Sequence, residues 1–376
     1  MLHAIIMAGG AGTRLWPESR QNQPKQLLTF GDTRSLLQKT LDRLQPTVSL
    51  ENIRIVTGKH LAQAIRQQTP ELPENAVVVE PCARNTAACI ALAALLCLEK
   101  DPEATLVVLP SDQYITTNAQ FQATLQEAAQ LVEQAPETLV TLGIQPTYPA
   151  ESFGYIERGT ALESQSTSIP AFHVCKFREK PSRDVAAEYI ETGRFFWNAG
   201  IFVWKAATVL RNLQTYAPNV YAPVEELQTA LRQYGSESPL FVEALERVFP
   251  QIPSISIDYA VMEPAAGAGN VVVVSAPFAW DDVGSWRAME RVFPQDEKQN
   301  TVLINGSQGA EVLMLQSHGC IVRCSDAAKK VVATYGLENL GVVITSEAVL
   351  IFDKQCEESV REVTKKLKEL GREELL

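Results

Sequence analysis

The sequence has few of the features that place a chain in a membrane, outside the cell or on nucleic acid. Its longest apolar run, Ala87 to Leu98, has twelve residues and ends in Glu99-Lys100, which is too short to cross a bilayer. The first residues lack the basic start of a signal peptide. Acidic residues outnumber basic ones, 44 to 33, and a net charge of −11 disfavours general nucleic-acid binding. These absences predict a cytoplasmic protein with neither a nucleic acid nor a membrane as partner.

Cysteine and histidine are also scarce. The seven cysteines are an odd number without a CxxC pair, which fits reduced thiols better than a disulfide framework. His318, Cys320 and Cys324 would share one face of a strand, but a fourth ligand and the usual spacing of a zinc site are absent. Metal binding by these three residues is therefore a minor alternative.

The remaining composition is that of an ordinary globular protein. Hydrophobic residues make up 46% and charged residues 20% of the chain, and no low-complexity tract interrupts it. Single cores rarely grow beyond about 250–300 residues. A chain of 376 residues therefore predicts one large domain and one smaller one.

The most informative stretch is MAGGAGTRLWPESRQNQPKQLL, residues 7–28, which follows a short apolar run. A strand that ends in Gly9-Gly10-x-Gly12 predicts a loop whose backbone N–H groups converge on an anion. Thr13, Arg14 and Lys25 add a hydroxyl and two cations, as a phosphate site needs. Two prolines stiffen the loop, so we expect Lys25 to return to the site from its far side.

Two well-known glycine loops do not match this stretch. A P-loop requires Gly-Lys-Ser/Thr, whereas Gly12 is followed by Thr13-Arg14. The dinucleotide fingerprint begins well at Gly10 and Gly12, but Leu15 stands where its third glycine is required. A dehydrogenase is therefore disfavoured, and a plain glycine-rich turn stays an alternative.

Strand and helix patterns alternate after the loop. Helical spacing covers residues 35–44, 60–66 and 87–98, and strand patterns cover 53–56, 76–79, 105–109 and 139–144. This alternation predicts a mainly parallel, doubly wound α/β sheet. Since ligands of such sheets bind beyond the carboxyl ends of the strands, polar residues at those ends are the site candidates.

Two of these strand ends point to a nucleotide. Glu80 can accept hydrogen bonds from the amino and ring N–H groups of a purine, and Asn85 or Thr86 can cap the next helix. Asp112, after the fourth strand, fits a Mg²⁺ ligand, with an ordinary Asx-turn as the alternative. Asp281 and Asp282 are adjacent acids that a cation would stabilise, which indicates the second half of the metal site.

Later strand ends point to a sugar. Gly154 permits close approach of the backbone to a polyhydroxylated ligand. Glu179 can accept from sugar hydroxyls while Lys180 meets a sugar phosphate, although solvated charges are the commoner reading. Asn198 is a polar amide inside an apolar run and must be hydrogen-bonded.

The pattern changes near residue 300, where short β-type runs alternate with turn residues. A last amphipathic helix is predicted over residues 357–370, and we expect it to dock on its own chain or on a partner subunit. We therefore expect a catalytic domain over residues 1–295 and a small C-terminal β domain over residues 296–376.

The motif GGxGTRLWPxSRxxxPKQ resembles the signature of the sugar-phosphate nucleotidyltransferases, and its Leu-Trp-Pro and Pro-Lys-Gln segments are similar to those of mannose-1-phosphate guanylyltransferases. Further matches in the family's order are Glu-Pro-x-x-Arg-Asn-Thr-Ala, Glu-Lys-Pro, Trp-Asn-x-Gly, Ser-Ile-Asp-Tyr-Ala-Val-Met-Glu and Asp-Val-Gly. Gln113 and Ala199 depart from the usual His and Ser. The chain is similar to the monofunctional short form, without the isomerase-type barrel of bifunctional relatives.

The resemblance implies a Rossmann-like, doubly wound mixed sheet of the GT-A-like type. It implies transfer of GMP from GTP to mannose 1-phosphate, giving GDP-mannose and pyrophosphate by Mg²⁺-assisted in-line displacement. The implied catalytic residues are Arg14, Lys25, Asp112 and Asp282, with Mg²⁺ on the two aspartates and Asp281 as the fallback ligand. The implied nucleotide-binding residues are Ala8, Gly9, Gly10, Gly12, Thr13, Glu80, Arg84, Asn85 and Ser111. The implied sugar-phosphate-binding residues are Gly154, Glu179, Lys180 and Asn198.

Two other functions stay open from the sequence. One is the same reaction with another nucleoside triphosphate or hexose 1-phosphate. The other is a catalytically silent paralogue that binds GDP-mannose and regulates partner chains. A homodimer is compatible with either.

Overall fold

The computed structural model describes residues 1–10, 12–162, 169–305, 310–325 and 330–376, with the side chains of residues 13 and 357–359 outside the description. Within these residues the chain forms two compact units. The first contains Met1–Gly9, Arg43–Pro110 and Thr116–Ala279, and the second contains Gly10–Asp42, Ser111–Ile115 and Trp280–Leu376. The predicted boundary after residue 295 lies inside the second unit, which is assembled from three separate stretches.

The described residues include seventeen strands. In chain order they are β1 (Leu2–Met7), β2 (Ile53–Gly58), β3 (Val77–Glu80), β4 (Thr105–Pro110), β5 (Tyr114–Ile115), β6 (Leu139–Ile144), β7 (Gly154–Ala161), β8 (Ala171–Glu179), β9 (Phe195–Lys205), β10 (Val271–Ala276), β11 (Trp280–Asp281), β12 (Thr301–Ile304), β13 (Glu311–Leu315), β14 (Ile321–Cys324), β15 (Val331–Tyr335), β16 (Leu340–Ile344) and β17 (Val349–Asp353).

The same residues include eleven α-helices. They are α1 (Leu36–Leu44), α2 (Ala62–Gln68), α3 (Asn85–Lys100), α4 (Asn118–Gln134), α5 (Arg183–Thr192), α6 (Ala206–Tyr216), α7 (Pro218–Tyr234), α8 (Pro239–Val248), α9 (Glu263–Gly267), α10 (Met289–Val292) and α11 (Val360–Glu369). A π-helical turn, Asp258–Met262, precedes α9. No helix within these ranges is long and apolar enough to cross a membrane.

The first unit is built on one nine-stranded sheet in the order β3-β2-β1-β4-β9-β6-β10-β8-β7. Strands β3, β2, β1 and β4 are mutually parallel, whereas β9 runs antiparallel to both β4 and β6. Strand β6 is buried along its whole length, as expected where helices cover both faces of a sheet. The predicted doubly wound mixed α/β sheet is confirmed, but the sheet is not mainly parallel, because four of its strand pairings are parallel and five are antiparallel.

Helix α3 is the most apolar of the helices that pack on this sheet. Ten of its residues are buried, and its small Ala and Cys side chains let it contact α6 and α7 closely. A helix that is apolar on all sides belongs in a core, which explains why the twelve-residue apolar run does not need a membrane.

The second unit contains stacked parallel strands. β12, β14 and β16 pair in parallel, Thr301 with Ile321 and Ile321 with Gly341, and β13 pairs with β15. In both sets of strands the paired residues are twenty positions apart in the sequence, as Glu311 and Val331 are in the second set. A constant offset places each turn of chain above the last, so β12 to β16 form a coil, whereas β17 pairs antiparallel with β16 as a hairpin.

Helix α11 closes the core of the second unit. Val360 is buried, and Val363 and Leu367 pack against a cluster that includes Leu15, Trp16 and other apolar residues of the same unit. The expectation that this helix docks on its own chain is met.

The sequence pattern missed several elements. Strands β7 and β10 and helices α4, α5 and α8 had no counterpart among the predictions. The Ser-Ile-Asp-Tyr-Ala-Val-Met-Glu motif forms a π-helical turn that runs into α9, with Asp258 at its start. A π-helical turn is rare and often marks a functional position.

Candidate functional site

The glycine-rich loop of the second unit folds so that Lys25 lies directly beside Gly12. A Cβ on Gly12 would lie 2.6 Å from Lys25 Cβ and 3.1 Å from its backbone nitrogen. Gly12 also has a φ of +59°, a region that side chains disfavour. Its carbonyl accepts a 2.6 Å hydrogen bond from Ser19 Oγ. The loop therefore needs glycine here for its own folding.

Gly9 and Gly10 differ from Gly12 in having open space beside them. No described heavy atom outside their chain neighbours lies within 4 Å of the position of a Cβ on either residue. The preceding residue, Ala8, is fully buried, and its nitrogen donates to Val56 O at 2.8 Å. Packing does not explain these two glycines, whereas a ligand that approaches the backbone would.

Lys25 is the centre of a charged group in the second unit. Its ammonium is 2.9 Å from Asp112 Oδ2 and 3.7 Å from Asp282 Oδ1, and it donates to the backbone carbonyl of Asp282. The lysine side chain is only 5% exposed, while those of Asp112 and Asp282 are 31% and 35% exposed. Burial alone would lower the pKa of Lys25, but the two carboxylates outweigh it and raise this pKa. The ammonium is therefore charged at neutral pH.

Arg14 joins the same group through the glycine of the Asp-Val-Gly motif. A Cβ on Gly284 would lie 2.8 Å from Asp282 Oδ2 and 3.1 Å from Arg14 Nη2. The structure thus brings all four predicted catalytic residues together within the second unit. Ser111, which precedes Asp112, is buried, and its carbonyl accepts from Thr40 Oγ1 at 3.4 Å. The Thr13 side chain lies outside the described part of the chain.

The two adjacent aspartates have different partners. Asp281 accepts from Arg291 with both oxygens, at 2.7 and 3.1 Å, and from Val283 N at 2.7 Å. Val283 has a φ of +47°, which is costly for a β-branched residue and persists only where its surroundings impose it. Asp281 therefore shapes the turn that presents Asp282, and its oxygens are already used.

The carboxylate pair fits a hard divalent cation. Mg²⁺ is usually bound by one or two carboxylates together with substrate phosphates and water. Asp112 and Asp282 both contact the Lys25 ammonium and keep about one-third of their surface exposed, so they offer oxygen ligands on one side. Across the described residues, no group of three or more His, Cys, Asp or Glu is placed to hold a metal ion. The two carboxylates would therefore be only part of the coordination of a bound Mg²⁺ ion.

Glu80, in the first unit, is a buried acid with one unpaired oxygen. It is 8% exposed at the end of β3, and its Oε1 accepts no hydrogen bond from the residues that the structure describes. Burial raises the pKa of Glu80 to about 7. Buried polar atoms are normally paired, so this oxygen is suited to a donor supplied by a ligand.

The residues after Glu80 do not form the helix cap that the sequence predicted. Helix α3 has no side-chain cap: Asn85 has a φ of +62° and its Oδ1 accepts only from the next residue, Thr86 N, at 2.8 Å. Thr86 Oγ1 accepts instead from Ile257 N at 2.8 Å. Arg84 donates to the carbonyl of Pro250. The tertiary contacts of this turn outweigh its local capping preference.

All four predicted sugar-phosphate residues lie in the first unit. Gly154, Glu179 and Asn198 are neighbours, and Lys180 forms an ion pair with Glu179. A Cβ on Gly154 would be 2.8 Å from Glu179 Oε2 and 3.6 Å from Asn198 Cβ. Lys180 pairs with Glu179 at 2.9 Å and has a φ of +44°. Glycine at position 154 therefore leaves room beside a carboxylate, an amide and an ammonium.

Asp258 belongs to this group, although the sequence gave it no role. Its Oδ1 accepts from Asn198 Nδ2 at 2.8 Å. Burial, and then the nearby Glu179 carboxylate, raise the pKa of Asp258. Sixty residues separate Asp258 from Asn198, so no local spacing connects them; the π-helical turn is visible only in the structure.

Comparison with known proteins bears on both units. Residues 3–299 match the family model described as nucleotidyl transferase, and residues 310–367 match a MannoseP isomerase/GMP-like beta-helix domain. The chain is 36% identical over 377 residues to the mannose-1-phosphate guanylyltransferase of Klebsiella pneumoniae and 35% identical to that of Escherichia coli. In each case the alignment covers 100% of this chain and 75% of the relative.

A solved structure is also similar along almost its whole length. A Thermus thermophilus protein, titled mannose-1-phosphate geranyltransferase, superposes with a TM-score of 0.83 at 35% identity. The match covers 98% of this chain and 99% of that one.

The contrast between Gly12 and Gly10 gives a stability prediction. Gly12→Ala should destabilise the protein by about 1–3 kcal/mol, because it places a side chain at positive φ against the backbone of Lys25. Gly10→Ala, with open space at the same atom, should leave stability nearly unchanged. Chemical denaturation of both variants measures the difference. Equal midpoints for the two would show that the loop does not pack as described.

Proposed function

Because the chain belongs to the nucleotidyl transferase family, and within it to the mannose-1-phosphate guanylyltransferases, we propose that it transfers GMP from GTP to mannose 1-phosphate. A phosphate oxygen of mannose 1-phosphate attacks the α-phosphorus of GTP, the bond from that phosphorus to the bridging oxygen breaks, and pyrophosphate leaves. The product is GDP-mannose. The nucleophile is already an anion at neutral pH, so the reaction needs no general base.

The observation that carries this proposal is the buried Lys25 ammonium, fixed between two partly exposed aspartates beside Arg14. Phosphoryl transfer is accelerated mainly by positioning and by neutralising charge that develops in the transition state. Lys25 is preorganised for this role because its position is set before any ligand binds. We assign Lys25 to the α-phosphate and Arg14 to the outer phosphates.

Nucleotidyl transferases generally use a divalent metal ion. We propose Mg²⁺ for this chain, held by Asp112 and Asp282, where it would supply positive charge to the phosphate oxygens. Asp281 is excluded from our ligand set because Arg291 and the Val283 amide occupy its oxygens.

The remaining residues are assigned to recognition. Glu80 is proposed to accept from the guanine N–H groups, since one of its oxygens is buried and unpaired. Ala8, Gly9, Gly10, Gly12, Thr13, Arg84, Asn85 and Ser111 stay our predictions for the rest of the nucleotide. For the sugar phosphate we propose Lys180 on the phosphate, with Gly154, Glu179 and Asn198 on the mannose.

The reaction is tested by pyrophosphate release across a grid of four nucleoside triphosphates and several hexose 1-phosphates, with Mg²⁺ present. We expect a maximum for GTP with mannose 1-phosphate. Reactions without sugar phosphate correct for hydrolysis. A maximum at another pair would contradict the specificity but keep the chemistry, whereas GDP-mannose binding without turnover would favour the silent regulatory paralogue.

The metal assignment predicts that Asp112→Asn and Asp282→Asn each raise the Mg²⁺ concentration for half-maximal activity by roughly tenfold or more. Loss of one anionic ligand weakens the site even where its shape is kept. Asp42→Asn is the matched control, because Asp42 is an exposed acid of the same unit paired with Arg34. Titration with Mn²⁺, followed by its paramagnetic resonance, reports binding independently of turnover. Unchanged titrations in both active-site variants would place the metal elsewhere.

The Glu80 assignment predicts a pH dependence of GTP binding. With a pKa of about 7, Glu80 is mostly protonated at pH 6 and mostly ionised at pH 8, and only the ionised form has both oxygens free to accept from guanine. The dissociation constant of GTP should therefore fall as pH rises from 6 to 8. In Glu80→Gln the dissociation constant should vary less with pH, and the variation that is left should come from titration of the triphosphate itself. Parallel pH profiles for wild type and Glu80→Gln would contradict the assignment.

A further inference from the structure

A fully buried ion pair joins the glycine-rich loop to the coil of parallel strands within the second unit. Arg323 of β14 donates from Nε to Glu18 Oε1 at 2.5 Å and from Nη2 to Glu18 Oε2 at 3.1 Å. The two side chains are 0% and 4% exposed. Glu18 lies between Arg14 and Lys25 in the sequence, so the pair is anchored inside the stretch that carries both cations.

The same guanidinium also contacts the far side of the loop. Arg323 Nη2 donates to the carbonyl of Thr29 at 2.8 Å, four residues beyond Lys25. The guanidinium carbon Cζ of Arg323 lies 5.7 Å from the centre of the Phe30 ring. One planar group therefore ties together the two limbs of the loop, at positions 18 and 29, and Lys25 lies on the segment between them. A lysine at position 323 has no fork of donors that could make both contacts at once.

Short hydrogen bonds connect this anchor to Gly12. Glu18 N donates to Leu15 O at 3.0 Å, and Ser19 Oγ donates to Gly12 O at 2.6 Å. Gly12 in turn lies against Lys25 with no room for a side chain. A shift of the loop backbone at Glu18 would therefore also move the backbone around Lys25.

Stability is a poor explanation for this pair. Removing two charges from water costs several kcal/mol per ion, and buried pairs can often be replaced by apolar residues without loss of stability. What such a pair does supply is direction, because a bidentate guanidinium–carboxylate contact has one favourable geometry.

Other residues near the C-terminus contact the same stretch of the loop. Trp16 Nε1 donates to Leu375 O at 2.8 Å, Arg20 Nη1 to Glu374 O at 3.2 Å, and Gln21 N to Leu376 O at 3.2 Å. These contacts use backbone carbonyls and are exposed or partly buried, whereas the Arg323–Glu18 pair is fully buried. The loop is thus contacted at several points by residues beyond 320.

We propose that Arg323 is a positioning residue for the transfer reaction: through Glu18 and Thr29 it sets the shape of the loop that carries Arg14 and Lys25. The coil of parallel strands is then part of the catalytic apparatus without touching substrate. This inference rests on the proposed function for its kinetic consequence, but its structural consequence, a looser loop over residues 12–29, does not depend on it.

The test compares Arg323→Lys with Val343→Ala. Val343 is the residue paired with Arg323 across β14 and β16, is fully buried, and contributes to the same core, so its truncation lowers stability without removing a contact to Glu18. Amide hydrogen exchange over residues 12–29 should be faster in Arg323→Lys than in Val343→Ala at equal distance below each melting temperature. The kcat of Arg323→Lys should fall by up to about 100-fold, as misplacement of catalytic groups allows. Its KM for mannose 1-phosphate should stay within about twofold, because the residues assigned to the sugar lie in the other unit.

A double variant that removes both charges of the ion pair is the control for misfolding of Arg323→Lys. Glu18→Leu with Arg323→Met fills the site without an unpaired charge, so it should fold while still losing the tie to Thr29. We expect it to reproduce the faster exchange and the lower kcat. Wild-type exchange of the loop in this folded double variant would overturn the proposal, whatever the activity. Losses of kcat in Arg323→Lys that only match those of Val343→Ala would overturn it as well. An inactive wild type would count against the proposed reaction alone, since the exchange comparison would still decide the role of Arg323.

Discussion

The charged residues of the second unit are arranged around one buried ammonium, that of Lys25. Water scarcely reaches Lys25, and a lone charge there would be lost by deprotonation; the carboxylates of Asp112 and Asp282 keep it charged. These groups come from three stretches of chain, residues 10–42, 111–115 and 280–376, that are far apart in sequence and form one compact unit. Strands β5 and β11, which flank the two aspartates, pair with each other. The charged group around Lys25 thus draws on all three stretches of this discontinuous unit.

Holding that geometry has a conformational cost, which the surrounding contacts offset. Val283 adopts a positive φ beside Asp282, and the Asp281–Arg291 pair together with the Val283 amide fixes this turn. On the other side of Lys25, the loop is fixed by Gly12, Ser19 and the buried Arg323–Glu18 pair. Apart from Gly12, which is also predicted to bind the nucleotide, both supports are built from residues that have no assigned contact with a ligand. A site whose polar groups are fixed in advance loses little energy to reorganisation when charge develops.

The sequence predicted the sheet and the charged group well, and it failed where long-range contacts decide. β6 has the predicted bounds, residues 139–144, because a continuous apolar run is a local signal. The cap at Asn85 and Thr86 was wrong because Ile257, far along the chain, takes the threonine oxygen. Likewise no pattern connects Asp258 to Asn198, or Glu18 to Arg323, which are separated by 60 and 305 residues. The twenty-residue repeat of the last strands becomes evident only when their register is known.

The acids of this protein show why residue type alone does not assign a role. Asp112 and Asp282 are partly exposed and paired with the Lys25 ammonium, which suits the metal-binding role proposed for them. Glu80 is buried with one oxygen unpaired, so its pKa rises to about 7 and its charge depends on what binds it. Glu18 is buried and accepts two hydrogen bonds from Arg323, so both of its oxygens are used within the fold. The different roles proposed for these acids, metal ligand, guanine acceptor and structural ion pair, therefore rest on the exposure and the partners of each carboxyl group, which are properties of the tertiary structure.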